Sequence, residues 1–107
     1  MKLFINVSND RAKFLGPCLT TEIKDKYTTI YRACSAEAKS INPYDYVTRS
    51  KQFAVDHMTT CFAYHEEPQH VLRAVVETKY IFNALNPGEY FYVGPPTKRA
   101  IIVASAK

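Results

Sequence analysis

Apolar residues recur with two different periods along this chain of 107 residues. Residues 28–34, rich in β-branched and aromatic side chains, predict a strand. From 70 to 78 the alternation is strict. Val71, Arg73 and Val75 fall on one side, and Leu72, Ala74 and Val76 on the other, as in a strand with two distinct faces. Between 50 and about 64 the period becomes helical. Phe53, Ala54, His57, Met58, Cys61 and Phe62 occupy i, i+1, i+4, i+5, i+8 and i+9, one apolar stripe that predicts the clearest helix, ended by Pro68. Shorter apolar runs at 2–7, 46–48, 90–93 and 98–104 predict further strands, and 80–85 a helical turn or loop. Ser8-Asn9-Asp10 offers N-cap residues for a short helix that Gly16-Pro17 stops, and a second short helix is expected from residue 20. Asn42-Pro43, Asn86-Pro87-Gly88 and Gly94-Pro95-Pro96 punctuate the rest. Five or six short strands with two or three helices make an α+β domain, with no repeat and no low-complexity segment.

Composition narrows this picture. One domain over residues 1–107 can bury a core without staples. Apolar residues are 47% of the chain, which argues against disorder, and eight Tyr and six Phe without Trp favour sheet. No run approaches the ~20 apolar residues of a membrane span. Residues 1–7 are too short for a secretory signal and are followed at once by polar residues, so a first strand is expected there. Cys18, Cys34 and Cys61 form an odd set without a CxxC pair, which fits a reducing cytoplasm. The net charge of +4 is spread without a basic run. Anionic small molecules, acidic proteins and nucleic acid all stay open as partners, and no membrane is expected.

The candidate chemistry centres on residues 44–54. A short strand there meets a helix through Thr48-Arg49-Ser50, a turn whose hydroxyls and backbone N–H groups suit a phosphate or ribose. Upstream, Ile30-Tyr31-Arg32-Ala33 carries a guanidinium able to grip a phosphate with two bonds. Downstream, Glu89 follows Asn86-Pro87-Gly88 and precedes an aromatic strand. A carboxylate there can accept a bond from a sugar hydroxyl and stabilise positive charge on a departing ribose. Each residue also has a plain role: Arg32 as a surface residue of an edge strand, Ser50 as a helix N-cap, Glu89 as a solvated turn residue. The order Arg, hydroxyl cluster, Glu, each at a predicted strand edge, is what raises chemistry above these.

From about residue 28 to 94 the chain resembles the ADP-ribosyltransferase family in its Arg–Ser–Glu branch. The carriers are Tyr31-Arg32, the block Tyr46-Val47-Thr48-Arg49-Ser50-Lys51-Gln52-Phe53-Ala54, and Gly88-Glu89-Tyr90-Phe91-Tyr92-Val93-Gly94. The resemblance implies a small transferase-like fold, two short antiparallel sheets flanked by helices around a cleft, with NAD as substrate and no metal. It implies that Arg32 holds the NAD phosphates and that Thr48 and Ser50 support the nicotinamide-ribose pocket. It further implies that Phe53 stacks on nicotinamide and that Glu89 contacts the ribose 2′-hydroxyl as the catalytic carboxylate. The chain reads Thr-Arg-Ser where that family has Ser-Thr-Ser. It has Pro87 two before Glu89, where the family often has Glu or Gln, and it is short for that family's catalytic domains. By analogy, the small size points to a phage or bacterial effector, inhibitor or toxin acting in a cytoplasm on a protein or other acceptor. A catalytically inactive binding protein on the same scaffold, blocking a host or defence protein, is the first rival. A small nucleic-acid-binding domain, marked by steep salt dependence, is the second.

Other signals have duller readings. His57, Cys61 and His65 stand at i, i+4 and i+8, but the ladder spans about 12 Å at 1.5 Å per residue, too long for one zinc ion. A packed core with a helix end is expected instead. Tyr80, Tyr90, Phe91 and Tyr92 can stack on bases, yet aromatic strands of a small domain mostly form core. Glu66-Glu67 predicts a solvated turn. Neither Cys18 nor Cys34 has a visible His partner, so cysteine nucleophilicity is weakly supported.

Overall fold

The computed structural model describes residues 15–65, 67 and 69–106. The expected strand at 2–7, the helix after Ser8-Asn9-Asp10, the stop at Pro68 and the side chain of His65 lie outside the described residues. The strands are β1 (Tyr27–Ser35), β2 (Asp45–Val47), β3 (Gln69–Glu77), β4 (Ile81–Asn83), β5 (Tyr90–Tyr92) and β6 (Ile101–Ala106). A single α-helix is described, α1 (Lys51–His65), with 3-10 turns at Leu19–Thr21 and Thr78–Tyr80. These make a small α+β arrangement of two antiparallel sheets, ordered β1-β3-β6 and β2-β5-β4. None of the described helices is long and apolar enough to cross a membrane.

The strict alternation of β3 explains how it holds the middle of the first sheet. Leu72, Ala74 and Val76 point into one core with Ile30 of β1 and with Val47, Ile81 and Tyr92 of the second sheet. On the opposite face, Val71 receives Ala54 and Met58 of α1. β1 and β3 pair without interruption from Tyr27↔Glu77 to Ser35↔Gln69. The second sheet packs on one side of the first, and α1 on the other. The burial of these side chains is the main force holding the layers together.

Four expectations change. Residues 80–85 are a turn or loop only at their ends: Tyr80 closes a 3-10 turn and 84 and 85 are loop, but the three residues between them form β4 and pair with β5. The last strand starts at Ile101, because Lys98 and Arg99 stand in a turn before it. The short helix expected from residue 20 is only the 3-10 turn Leu19–Thr21. The helical stripe is only half buried: Ala54 and Met58 meet the sheet, whereas Phe53 is 41% exposed and His57 is exposed. A stripe containing both i and i+1 is wider than the strip of sheet available to it, so one margin faces outward.

Candidate active-site cleft

Among the described residues, one backbone bridge ties the two sheets. The N–H of Tyr31 donates to the carbonyl of Thr48 (2.8 Å), and the N–H of Thr48 donates back to the carbonyl of Tyr31 (2.9 Å). Thr48 directly follows Val47, whose partner in β5 is Tyr90. Glu89 directly precedes Tyr90, so Thr48 and Glu89 approach from facing strand ends. Residues 31, 48 and 89 thus form a row across β1, the end of β2 and the start of β5.

Hydroxyls shape the turn into α1. Thr48 is buried, and its Oγ1 accepts the N–H of Ser50 (3.2 Å). Ser50 Oγ in turn accepts the N–H of Phe53 (3.1 Å). This is the N-cap geometry that serine supplies to a helix. It fixes the first turn of α1 and projects Phe53 and His57 beside the strand ends.

Glu89 is set by its own turn. Its N–H donates to the carbonyl of Asn86 (3.1 Å), while Asn86 Nδ2 donates to Glu89 Oε2 (2.9 Å). Gly88 has φ +82°, in the left-handed region where a Cβ is disfavoured. A Cβ on Gly88 would stand 3.7 Å from the Phe53 ring, so this turn backs directly onto that phenyl.

Arg32 is not at a strand end as expected; three residues of β1 follow it. Its Nη1 donates to the carbonyl of Tyr46 (2.9 Å), and its Nε lies 3.4 Å from Asp45 Oδ2. The same Asp45 oxygen accepts the N–H of Asn42 (2.8 Å). The guanidinium therefore braces β2 against β1. One of the five N–H donors that an arginine carries makes a hydrogen bond here, and the contact with Asp45 is an ion pair.

These elements enclose a cleft of about 430 Å³, in the size range of small-molecule sites. Arg32, Thr48, Phe53 and Glu89 line it together; Ser50 does not, since its hydroxyl caps the helix. Four of the five residues singled out in the sequence thus meet in one place. The sequence reading missed Tyr31, Tyr46, His57 and Asn86, which also line it. Tyr31 and Tyr46 sat inside the quoted motifs, and Asn86 inside the turn before Glu89. His57 belongs to the helical stripe read as core, and nothing in its spacing separates a core margin from a cleft margin.

Among the described residues no three ligating side chains cluster; the side chain of His65, the third rung of the ladder, lies outside them. His57 Nε2 and Cys61 Sγ lie 3.6 Å apart on one side of α1, and neither is packed as a core residue. Cys34 pairs in register with His70 across β1 and β3. The imidazole of His70 turns instead to the carbonyl of Ala38, with Nε2 2.7 Å from that oxygen. Burial pushes the Cys34 thiol above its usual range, against the pull of nearby Arg32 and with a further push from Asp45. A thiol kept protonated is a poor nucleophile. No family model, curated protein or solved structure matches the chain.

Proposed function

We propose that the chain is an ADP-ribosyltransferase-like protein that takes NAD into this cleft and transfers ADP-ribose to a protein or other acceptor. The observation that supports the reading is the convergence of Arg32, Thr48, Phe53 and Glu89 on one cleft of ligand size, from three separate parts of the chain. The nicotinamide lies against Phe53 and the Thr48 corner. The ribose meets Glu89, whose Oε2 is already oriented by Asn86. Arg32 stands at the phosphate side. The glycosidic bond between the ribose C1′ and the pyridinium nitrogen breaks, and its electron pair leaves with neutral nicotinamide. The acceptor nucleophile bonds to C1′, and its proton passes to Glu89 or to water. Glu89 stabilises the positive charge that develops on the ribose in between. Effector or inhibitor action in a host cytoplasm belongs to the same proposal.

The test is release of nicotinamide from NAD, with and without a cell extract as acceptor source, in wild type and Glu89→Gln. Loss of a transition-state carboxylate is expected to slow release on the order of a hundredfold or more, since each ~1.4 kcal/mol is a factor of ten. NAD binding persists in the variant. Equal release by both proteins removes the proposal.

A second reading has its own support. The Arg32 guanidinium is already engaged by Asp45 and Tyr46, and Pro87 stands two before Glu89, where the resembling family often has Glu or Gln. Both fit a binding protein that keeps the scaffold without turnover. Wild type that binds a partner protein but releases no nicotinamide selects that reading.

A further inference from the structure

We infer that the chain pairs with a second copy of itself through the part of the first sheet that α1 leaves open. This is independent of the NAD reading. Odd-numbered residues of β1 and β3 point to the α1 side, where Tyr31, Ala33 and Val71 pack with Ala54 and Met58. The helix covers only that end of the face. Further along β3, Arg73 is exposed and Val75 is 64% exposed, whereas Val71 is fully buried. Tyr27 of β1, 57% exposed, pairs with Glu77, and Ile101 of β6, 47% exposed, pairs with Arg73. Three exposed apolar side chains thus stand on one face of three adjacent strands. Grouped apolar exposure of this kind marks an interaction surface, where single exposed residues do not.

The charges around Val75 favour a second copy over a foreign partner. Arg73 precedes Val75 by two residues and Glu77 follows it by two, all on the same face of β3. Each charge therefore stands about 7 Å from Val75 along the strand. A two-fold axis through Val75, lying across the strands, sets Val75 on Val75. It also brings Arg73 over the partner's Glu77, and by symmetry does so twice. An isologous dimer requires this self-complementarity of its one patch; a foreign partner places no such condition on it. Sheets packed face to face stand about 10 Å apart, a gap that an arginine and a glutamate close from opposite sides. Among the described residues Arg73 makes no ion pair, and Glu77 meets Lys79 Nζ through Oε1 at 3.9 Å, which leaves Oε2 for the partner's Arg73. Tyr27 and Ile101 widen the apolar strip on either side of this row.

The experiment is sedimentation equilibrium of the full chain from about 1 to about 300 μM, a range that covers association through a small interface. Wild type is expected to move from the mass of one chain toward that of two and to stop there. Arg73→Glu and Glu77→Arg each set like charges face to face and are expected to weaken association on the order of tenfold or more. Mixed in equal amounts, the two variants again oppose unlike charges at both pairs and are expected to associate within about threefold of wild type. That recovery is not available to a variant that has merely lost its fold. Wild type that stays at the mass of one chain over the whole range overturns the inference, as does growth beyond two chains. Single variants that associate as wild type does, or a mixture no better than either alone, overturn it as well.

Discussion

Gly94 occupies a position that only a glycine fits. A Cβ there would stand 2.6 Å from the Tyr92 hydroxyl and 2.7 Å from a ring carbon of Tyr80. Neither ring yields easily. The Tyr92 hydroxyl donates to the carbonyl of Pro95, and the two rings meet edge to face with centroids 6.3 Å apart. Gly94→Ala is therefore expected to lower stability by about 1–3 kcal/mol, the usual cost of overpacking. Urea denaturation checks this; an unchanged midpoint means that the two rings move aside. Single residues differ in how much the sequence revealed of them. Arg32 and Glu89 were legible because a charge beside aromatic strand residues breaks the local pattern. His57 was not, because its spacing from Phe53 is the same whether that margin of the helix meets a sheet or opens on a cleft.

At the scale of elements, α1 carries the cleft wall and hangs on its cap. Ser50 Oγ holds the Phe53 N–H, and the Ser50 carbonyl accepts the N–H of Ala54 (3.2 Å). Ser50→Ala is expected to cost about 1 kcal/mol, and Ser50→Gly only a few tenths, because glycine is itself an acceptable N-cap. Equal losses in the two variants, measured by the denaturation midpoint at constant slope, would exclude capping as the role of this side chain. The helix was legible because apolar positions from Phe53 to Phe62 recur at helical spacing within its fifteen residues. β4 was not: three residues are too few to show alternation, and they become a strand only by pairing with β5. The same reason hid the start of β6, where Lys98 and Arg99 precede a run whose register is set by β3.

Across the whole molecule, the mixture of periods was enough to give an α+β class. The junction that makes the cleft was not readable, because the Tyr31–Thr48 bridge joins positions far apart in the chain and leaves no local mark in either. The core shared by the two sheets has a consequence for pH. Cys34 packs against it from β1, and Tyr92 is buried within it from β5. Burial raises both groups above their ordinary values of 9.0 and 10.0, with Tyr80 and Glu77 adding to the push on Tyr92. The folded chain therefore keeps two protons that the unfolded chain gives up first. The stability tied to them is whole below pH 9, begins to fall as the unfolded thiol ionises, and is lost as pH climbs through the raised folded values. Melting temperatures measured from pH 7 to 11 are expected to fall above about pH 9 in wild type. A Cys34→Ala, Tyr92→Phe double variant starts from a lower melting temperature and declines less steeply over the same range. Parallel curves for the two proteins would mean that the alkaline limit is set elsewhere, by the other tyrosines or by the lysines, and that the core between the sheets holds no proton tightly enough to matter.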